Sequence, residues 1–126
     1  MGFSLHSQTK LHFLESDLLS KIPSEIEFQL IFSNPPYIKN SQKNQVHPTV
    51  DKFEPALALY LPDSEYQDWY LRFFAQTFAV LSNKGMLMIE GHENNLHELK
   101  NLARQQGFKQ LQFLQDYTGR ERFLLA

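Results

Sequence analysis

The tightest constraint on this chain is the stretch Phe28 to Ile38, FQLIFSNPPYI, in which an apolar run stops at Ser33 and passes into Asn34, Pro35, Pro36 and Tyr37. A run rich in Phe, Leu and Ile, with no polar alternation beyond Gln29, suits a strand covered on both faces, as in a parallel sheet. The prolines end it. Each lacks an N–H and has φ fixed at about −65° by ring closure, and the residue before a proline is pushed out of the helical region, which constrains Asn34 and Pro35 as well. Residues 34–36 therefore read as a stiff, extended knuckle at the carboxyl end of a strand, the place where open α/β sheets bind their ligands.

The knuckle offers the Asn34 side-chain carbonyl and a Pro35 backbone carbonyl that no helix can claim. Paired acceptors of this kind suit an –NH2 group, which has two hydrogens to donate. Tyr37 adds a flat face able to stack on a planar amide or base. Holding both hydrogens aims the nitrogen lone pair in one direction, where an electrophile meets it in line. The chemistry implied is alkylation of a planar nitrogen. The plain alternative is a strand terminator, since Asn and Pro are common loop formers. The apolar strand before the knuckle and the aromatic after it favour a site.

Bulk properties narrow the class. A chain of 126 residues accommodates one domain with a real core rather than two. A net charge of −2 with scattered Lys and Arg gives no basic stripe of the kind phosphate backbones require, so nucleic acid is not an expected partner. The absence of cysteine excludes disulfides and thiolate metal sites and is compatible with a reducing cytoplasm. His6, His12, His47, His92 and His97 form no i, i+4 pair with a partner carboxylate, so no metal site is expected. No run approaches the roughly 20 apolar residues that span a bilayer. We therefore expect a cytoplasmic protein with no membrane partner.

Along the chain, Leu11–Leu14 reads as a short strand ending in an acidic turn, where Asp17 either caps the next helical turn or faces a ligand. Residues 39–51 form a polar loop long enough to be functional. Ser64 to Gln67 has the form of a capping box, and Tyr66, Trp69, Tyr70, Phe73, Phe74, Phe78 and Leu81 recur at helical spacing, predicting a helix that ends near Asn83. Gly85 opens a second buried strand, Met86–Ile89, closing on Glu90. A further helix carries Leu96, Leu99, Leu102 and Ala103 on one face, with Gly107 as its left-handed stop. Leu111–Leu114 and Arg122–Leu125 read as a terminal hairpin. This order is the second half of a doubly wound sheet with an antiparallel finish. Gly2, Gly85, Gly91, Gly107 and Gly119 are isolated, so no Gly-rich turn is available to cradle a nucleotide-like ligand.

Asn34-Pro35-Pro36-Tyr37 after an apolar strand resembles the NPPY motif of class I S-adenosylmethionine-dependent methyltransferases that modify planar nitrogens. Phe53-Glu54-Pro55 with Ala56, Leu57, Ala58 and Leu59 looks like the "EP..AL" segment, Met88-Ile89-Glu90 is similar to the "L-E" strand end, and Asp116 to Arg122 resembles the "D..G..R" tail. Together, over about residues 11–126, these resemble the HemK/PrmC-type glutamine methyltransferases, which modify the Gln of the GGQ motif in peptide-chain release factors.

The resemblance implies an α/β fold, the carboxyl-terminal half of a Rossmann-like class I sheet, with parallel strands and an antiparallel terminal hairpin. Residues 1–126 would then be a single partial methyltransferase domain without the amino-terminal, Gly-rich cofactor half. It implies that Asn34, Pro35 and Tyr37 carry catalysis, that Pro36 and Glu54 join them in binding substrate, and that Asp17 and Asn34 face S-adenosylmethionine. We expect the isolated chain to bind that cofactor weakly or not at all. The edge of Phe28–Ser33 is expected to be covered by Leu11–Leu14, by a second copy in a homodimer, or by a missing amino-terminal half. The same knuckle would also serve an adenine amino group of DNA or RNA. A third alternative is a non-catalytic remnant that acts as an assembly module.

Overall fold

In the computed structural model, residues 9–45, 48, 55 and 59–126 are described. The apolar run forms β1 (Phe28–Ser33), followed across the knuckle by a two-residue strand β2 (Ile38–Lys39) and a 3-10 segment over Asn40–Gln45. The chain returns as β3 (Tyr60–Leu61), passes through a 3-10 turn at Asp63–Glu65, and enters α1 (Tyr66–Val80). Then come β4 (Leu81–Glu90), α2 (Leu96–Gln105) and the hairpin strands β5 (Gln112–Gln115) and β6 (Glu121–Leu125).

Four strands make the main sheet in the order β1-β4-β6-β5. β1 runs parallel to β4, with Ile31 opposite Leu87 and Ser33 opposite Ile89, while β6 is antiparallel to both β4 and β5. The expected half-sheet with an antiparallel finish is present. Parallel neighbours require a crossover, and α1 supplies it, packing with α2 on a single face. That face holds the core: Tyr66, Tyr70, Phe73 and Phe74 of α1 and Leu96, Leu99, Leu102 and Ala103 of α2 close over Leu87, Ile89 and Leu124.

Local chemistry explains the element ends. Residues 81–84 are strand rather than the end of α1, and the register between β1 and β4 slips between Phe28 and Leu30. Gly85 sits at that slip, where a Cβ would lie 2.9 Å from the Phe28 carbonyl oxygen, so only glycine permits the approach. Ser64 does not cap α1. It lies inside the 3-10 turn after Pro62, and the helix starts two residues later with no side-chain cap. Gly107 ends α2 at φ +108, with Phe108 N–H bonded to the Ala103 carbonyl and Gly107 N–H to the Arg104 carbonyl, a Schellman closure.

The expectation for Leu11–Leu14 is overturned. These residues adopt no strand and do not pair with β1; Leu11, Phe13 and Leu14 are exposed. So short a run forms a strand only where a ladder partner and an apolar surface receive it, and this one meets neither among the described residues. Among the described residues, the outer edge of β1 has no strand partner.

Candidate functional site

Asn34 to Tyr37 leave the carboxyl end of β1 as extended chain with no regular structure. Pro35 is buried and Asn34 exposed, so the ring anchors the knuckle and the carboxamide reaches outward. Asn34 lies on a depression shared with Phe32, Ser33, Met88, Glu90 and Phe123, at the carboxyl ends of β1 and β4. The wall is apolar apart from the Ser33, Asn34 and Glu90 side chains.

Prolines leave this segment few backbone donors, so carbonyls are its main handles. Two are held from behind. The Tyr70 hydroxyl donates to the Pro36 carbonyl at 2.9 Å, and Asn95 Nδ2 donates to the Tyr37 carbonyl at 3.2 Å. Neither the Asn34 carboxamide nor the Pro35 carbonyl has a hydrogen-bond partner among the described residues.

Asn95 is itself held. Its carboxamide exchanges hydrogen bonds with that of Gln42, Nδ2 to Oε1 at 2.8 Å and Gln42 Nε2 to Asn95 Oδ1 at 3.0 Å. Gln42 Oε1 also accepts the Lys39 amide at 3.1 Å, which links the network to β2. Lys39 Nζ pairs with Glu98 at 2.8 Å and sits 4.7 Å from the centre of the Tyr66 ring. Desolvation pushes the Glu98 carboxyl up, but hydrogen bonds from Lys39 and Gln67 outweigh it and hold the group below its ordinary range. Burial first, then neighbouring Tyr66 and Tyr37, drive the Tyr70 phenol well above its ordinary value, so it remains a donor.

Sequence reasoning missed Tyr70, Asn95 and Gln42. Tyr70 lies on the aromatic face of α1 and reads as core, while Asn95 and Gln42 are not singled out at all. The only signal available was topological: a helix that follows β4 begins beside the end of β1.

Asp17 is placed apart from this cluster. Among the described residues its carboxylate caps no helix; it forms an exposed ion pair with Arg72 of α1 at 3.2 Å, while Ser16 Oγ accepts the Lys21 amide. Leu18 takes φ +52, unusual for a non-glycine residue, and packs on the core as Leu19 N–H bonds Gln76 Oε1 at 2.9 Å. Glu54 lies outside the described residues. The described residues thus bring Asn34, Pro35, Pro36 and Tyr37 together and leave Asp17 on the flank of α1.

The Asp116 to Arg122 segment has a structural explanation. Asp116 Oδ1 accepts the amides of Thr118 at 2.8 Å and Arg120 at 3.2 Å, Gly119 takes φ +83, and Arg122 Nε closes on Asp116 Oδ2 at 3.4 Å. An acceptor, a left-handed residue and a cation at this spacing build the hairpin turn. The Thr118 hydroxyl first, then backbone amides and Arg122, outweigh desolvation and lower the Asp116 pKa.

The sheet order, the parallel β1–β4 pair and the hairpin finish are those of the carboxyl-terminal half of a class I methyltransferase. Within that class, the chain is similar to release factor glutamine methyltransferases. It is 33% identical over 121 residues to that of Leptospira interrogans, 32% over 122 residues to that of Rhodopirellula baltica and 30% over 118 residues to that of Flavobacterium psychrophilum. These matches take in 94–96% of this chain but 41–42% of each relative, in the carboxyl-terminal part. The chain therefore spans about two fifths of the length of the relatives it matches. No protein-family model matches it. No helix among the described residues is long and apolar enough to cross a membrane.

Proposed function

We propose that this chain supplies the acceptor-nitrogen half of an S-adenosylmethionine-dependent methyltransferase that acts on a glutamine side-chain amide of a peptide-chain release factor. The observation that carries the proposal is the sorting of acceptors in the knuckle: Pro36 and Tyr37 carbonyls are engaged, while among the described residues the Asn34 carboxamide, on the wall of the cleft, and the Pro35 carbonyl next to it have no hydrogen-bond partner. In the reaction, these two oxygens hold the amide hydrogens, Tyr37 and Pro36 pack beside the amide plane, and the nitrogen lone pair is turned towards the donor. Once this face is covered, the apolar wall of Phe32, Met88 and Phe123 would keep water from that nitrogen. Glu54 is assigned to substrate contact by resemblance.

The described residues do not fit the whole cofactor. Asp17 is drawn to Arg72, and the wall beside Asn34 carries Glu90 as its one carboxylate. The cofactor's seat is assigned to a segment outside these residues, corresponding to the amino-terminal part of the relatives. Such a segment also covers the β1 edge and the apolar sheet face beside it. A second copy of this chain covers the edge without completing the seat, which makes it the weaker occupant.

Co-production with the amino-terminal part of the Leptospira interrogans relative tests this. We expect methyl transfer to a release factor, and not to adenine-containing DNA or RNA, only when both parts are present. Asn34→Ala should slow it by a factor corresponding to about 3 kcal/mol, the usual loss for one oriented contact in the transition state. An unchanged rate for Asn34→Ala, or transfer to nucleic acid instead, overturns the proposal. Calorimetry on the chain alone should show no micromolar cofactor binding, on the order of −8 kcal/mol.

A further inference from the structure

We infer that Tyr70 and Asn95 are positioning residues, whose task is to fix the knuckle so that the Asn34 carboxamide and the Pro35 carbonyl keep one arrangement beside the cleft. The inference rests on the acceptor role proposed for those two oxygens and adds the residues that hold them in place. Neither residue touches the reacting atoms. Each grips the carbonyl of a following residue, Pro36 or Tyr37, from the core side.

Asn95 forgoes its ordinary role to do this. Asparagine at the start of a helix normally satisfies a free amide with its side chain, a contact that stabilises the helix. Here the N-cap makes no such bond; the buried carboxamide turns away to Gln42 and the Tyr37 carbonyl. A local rule broken at a residue next to a candidate site is the pattern expected when position outranks helix stability.

Tyr66 and Tyr70 form a natural control. Both are fully buried tyrosines one turn apart on α1, with ring centres 4.9 Å apart. The Tyr66 hydroxyl is buried against the Asn95 side chain and holds no knuckle carbonyl among the described residues, whereas that of Tyr70 holds Pro36. Replacing either by Phe removes one oxygen from nearly the same environment, yet only one replacement frees the knuckle. A side chain that merely fills the core would give equal results at the two positions.

The rigidity arm is read on the chain alone, by amide exchange and by nitrogen relaxation. Asn95→Ala should speed exchange of the Lys39 amide about tenfold or more, because Gln42 loses its tether, while Leu87 and Ile89 in β4 change less than about twofold. Tyr70→Phe should broaden the Tyr37 and Ile38 amides and the Asn34 side-chain NH2 signals, and Tyr66→Phe should not. A uniform rise across the sheet, or equal effects of the two tyrosine variants, overturns the inference.

The catalytic arm uses the two-part enzyme described above. Tyr70→Phe should lower kcat about 10- to 100-fold, the scale on which a misplacement near 1 Å acts, with KM for the methyl donor unchanged. Full rate for Tyr70→Phe beside a crippled Asn34→Ala sinks the positioning role alone. Full rate for Asn34→Ala sinks the acceptor role, while the rigidity measurements still decide whether Tyr70 and Asn95 hold the knuckle.

Discussion

The two faces of the main sheet are built from the same strands and have opposite fates. On one, Leu87, Ile89 and Leu124 are 0% exposed beneath α1 and α2. On the other, their neighbours in the strands remain open: Leu30 is 48% exposed, Phe32 69% and Met86 44%. Alternation in a strand sends successive side chains to opposite sides, so a strand apolar throughout has two faces to bury. This chain buries one. An antiparallel sheet with a solvated face would carry polar residues there, whereas this open face carries Leu30, Phe32 and Met86.

Removing core atoms gives the sharpest test of that contrast. Leu124→Ala should cost about 2–5 kcal/mol in urea unfolding of the chain, as for other buried leucines, while Phe32→Ala should change stability by about 0.5 kcal/mol or less. Similar losses at the two positions would break the comparison. Next in size, Gly107→Ala places a Cβ at φ +108 and 3.0 Å from the Phe78 ring. The left-handed penalty alone is about 1–2 kcal/mol, so thermal unfolding should drop by several degrees, showing that the covered side is specified to the ends of its helices.

A pH titration addresses the hairpin that borders both faces. Asp116 has a depressed pKa in the folded chain, so its contribution is complete above the ordinary carboxylate value of 3.8 and fades as pH falls through the lower, folded value. The Thr118 amide should lose protection in that acid window, and Asp116→Asn should remove the dependence. The smallest effect belongs to the exposed pair between Arg72 and Asp17, where Arg72→Ala should alter stability by about 0.5 kcal/mol or less. A larger loss would mean that the segment around Leu18 is a structural part of the covered side.

What could be read from the sequence divides along the same physical line. β1, the aromatic face of α1, the apolar face of α2 with its Gly107 stop and the terminal hairpin are specified by periodicity and by residues with special backbone needs, both local properties. Leu11–Leu14 failed because a strand needs a neighbour, which four residues cannot announce. Ser64 failed because Pro62 sets up a 3-10 turn that delays the helix to Tyr66. The knuckle was legible because two prolines restrict the chain whatever surrounds it. Tyr70, Asn95 and Gln42 were not, because their roles depend on distant carbonyls 34, 58 and 53 positions away in the chain.

The small clasp between β2 and β3, where Ile38 lies opposite Tyr60 and Lys39 opposite Leu61, has an evolutionary consequence. It ties off the span from Asn40 to Leu59 at its neck, so the neck stays put whatever length or composition lies beyond it. Enlarging such a tied span is cheap, about 0.6 kcal/mol for each doubling. Changes of length or composition there can therefore accumulate without moving the strand pair that follows the knuckle.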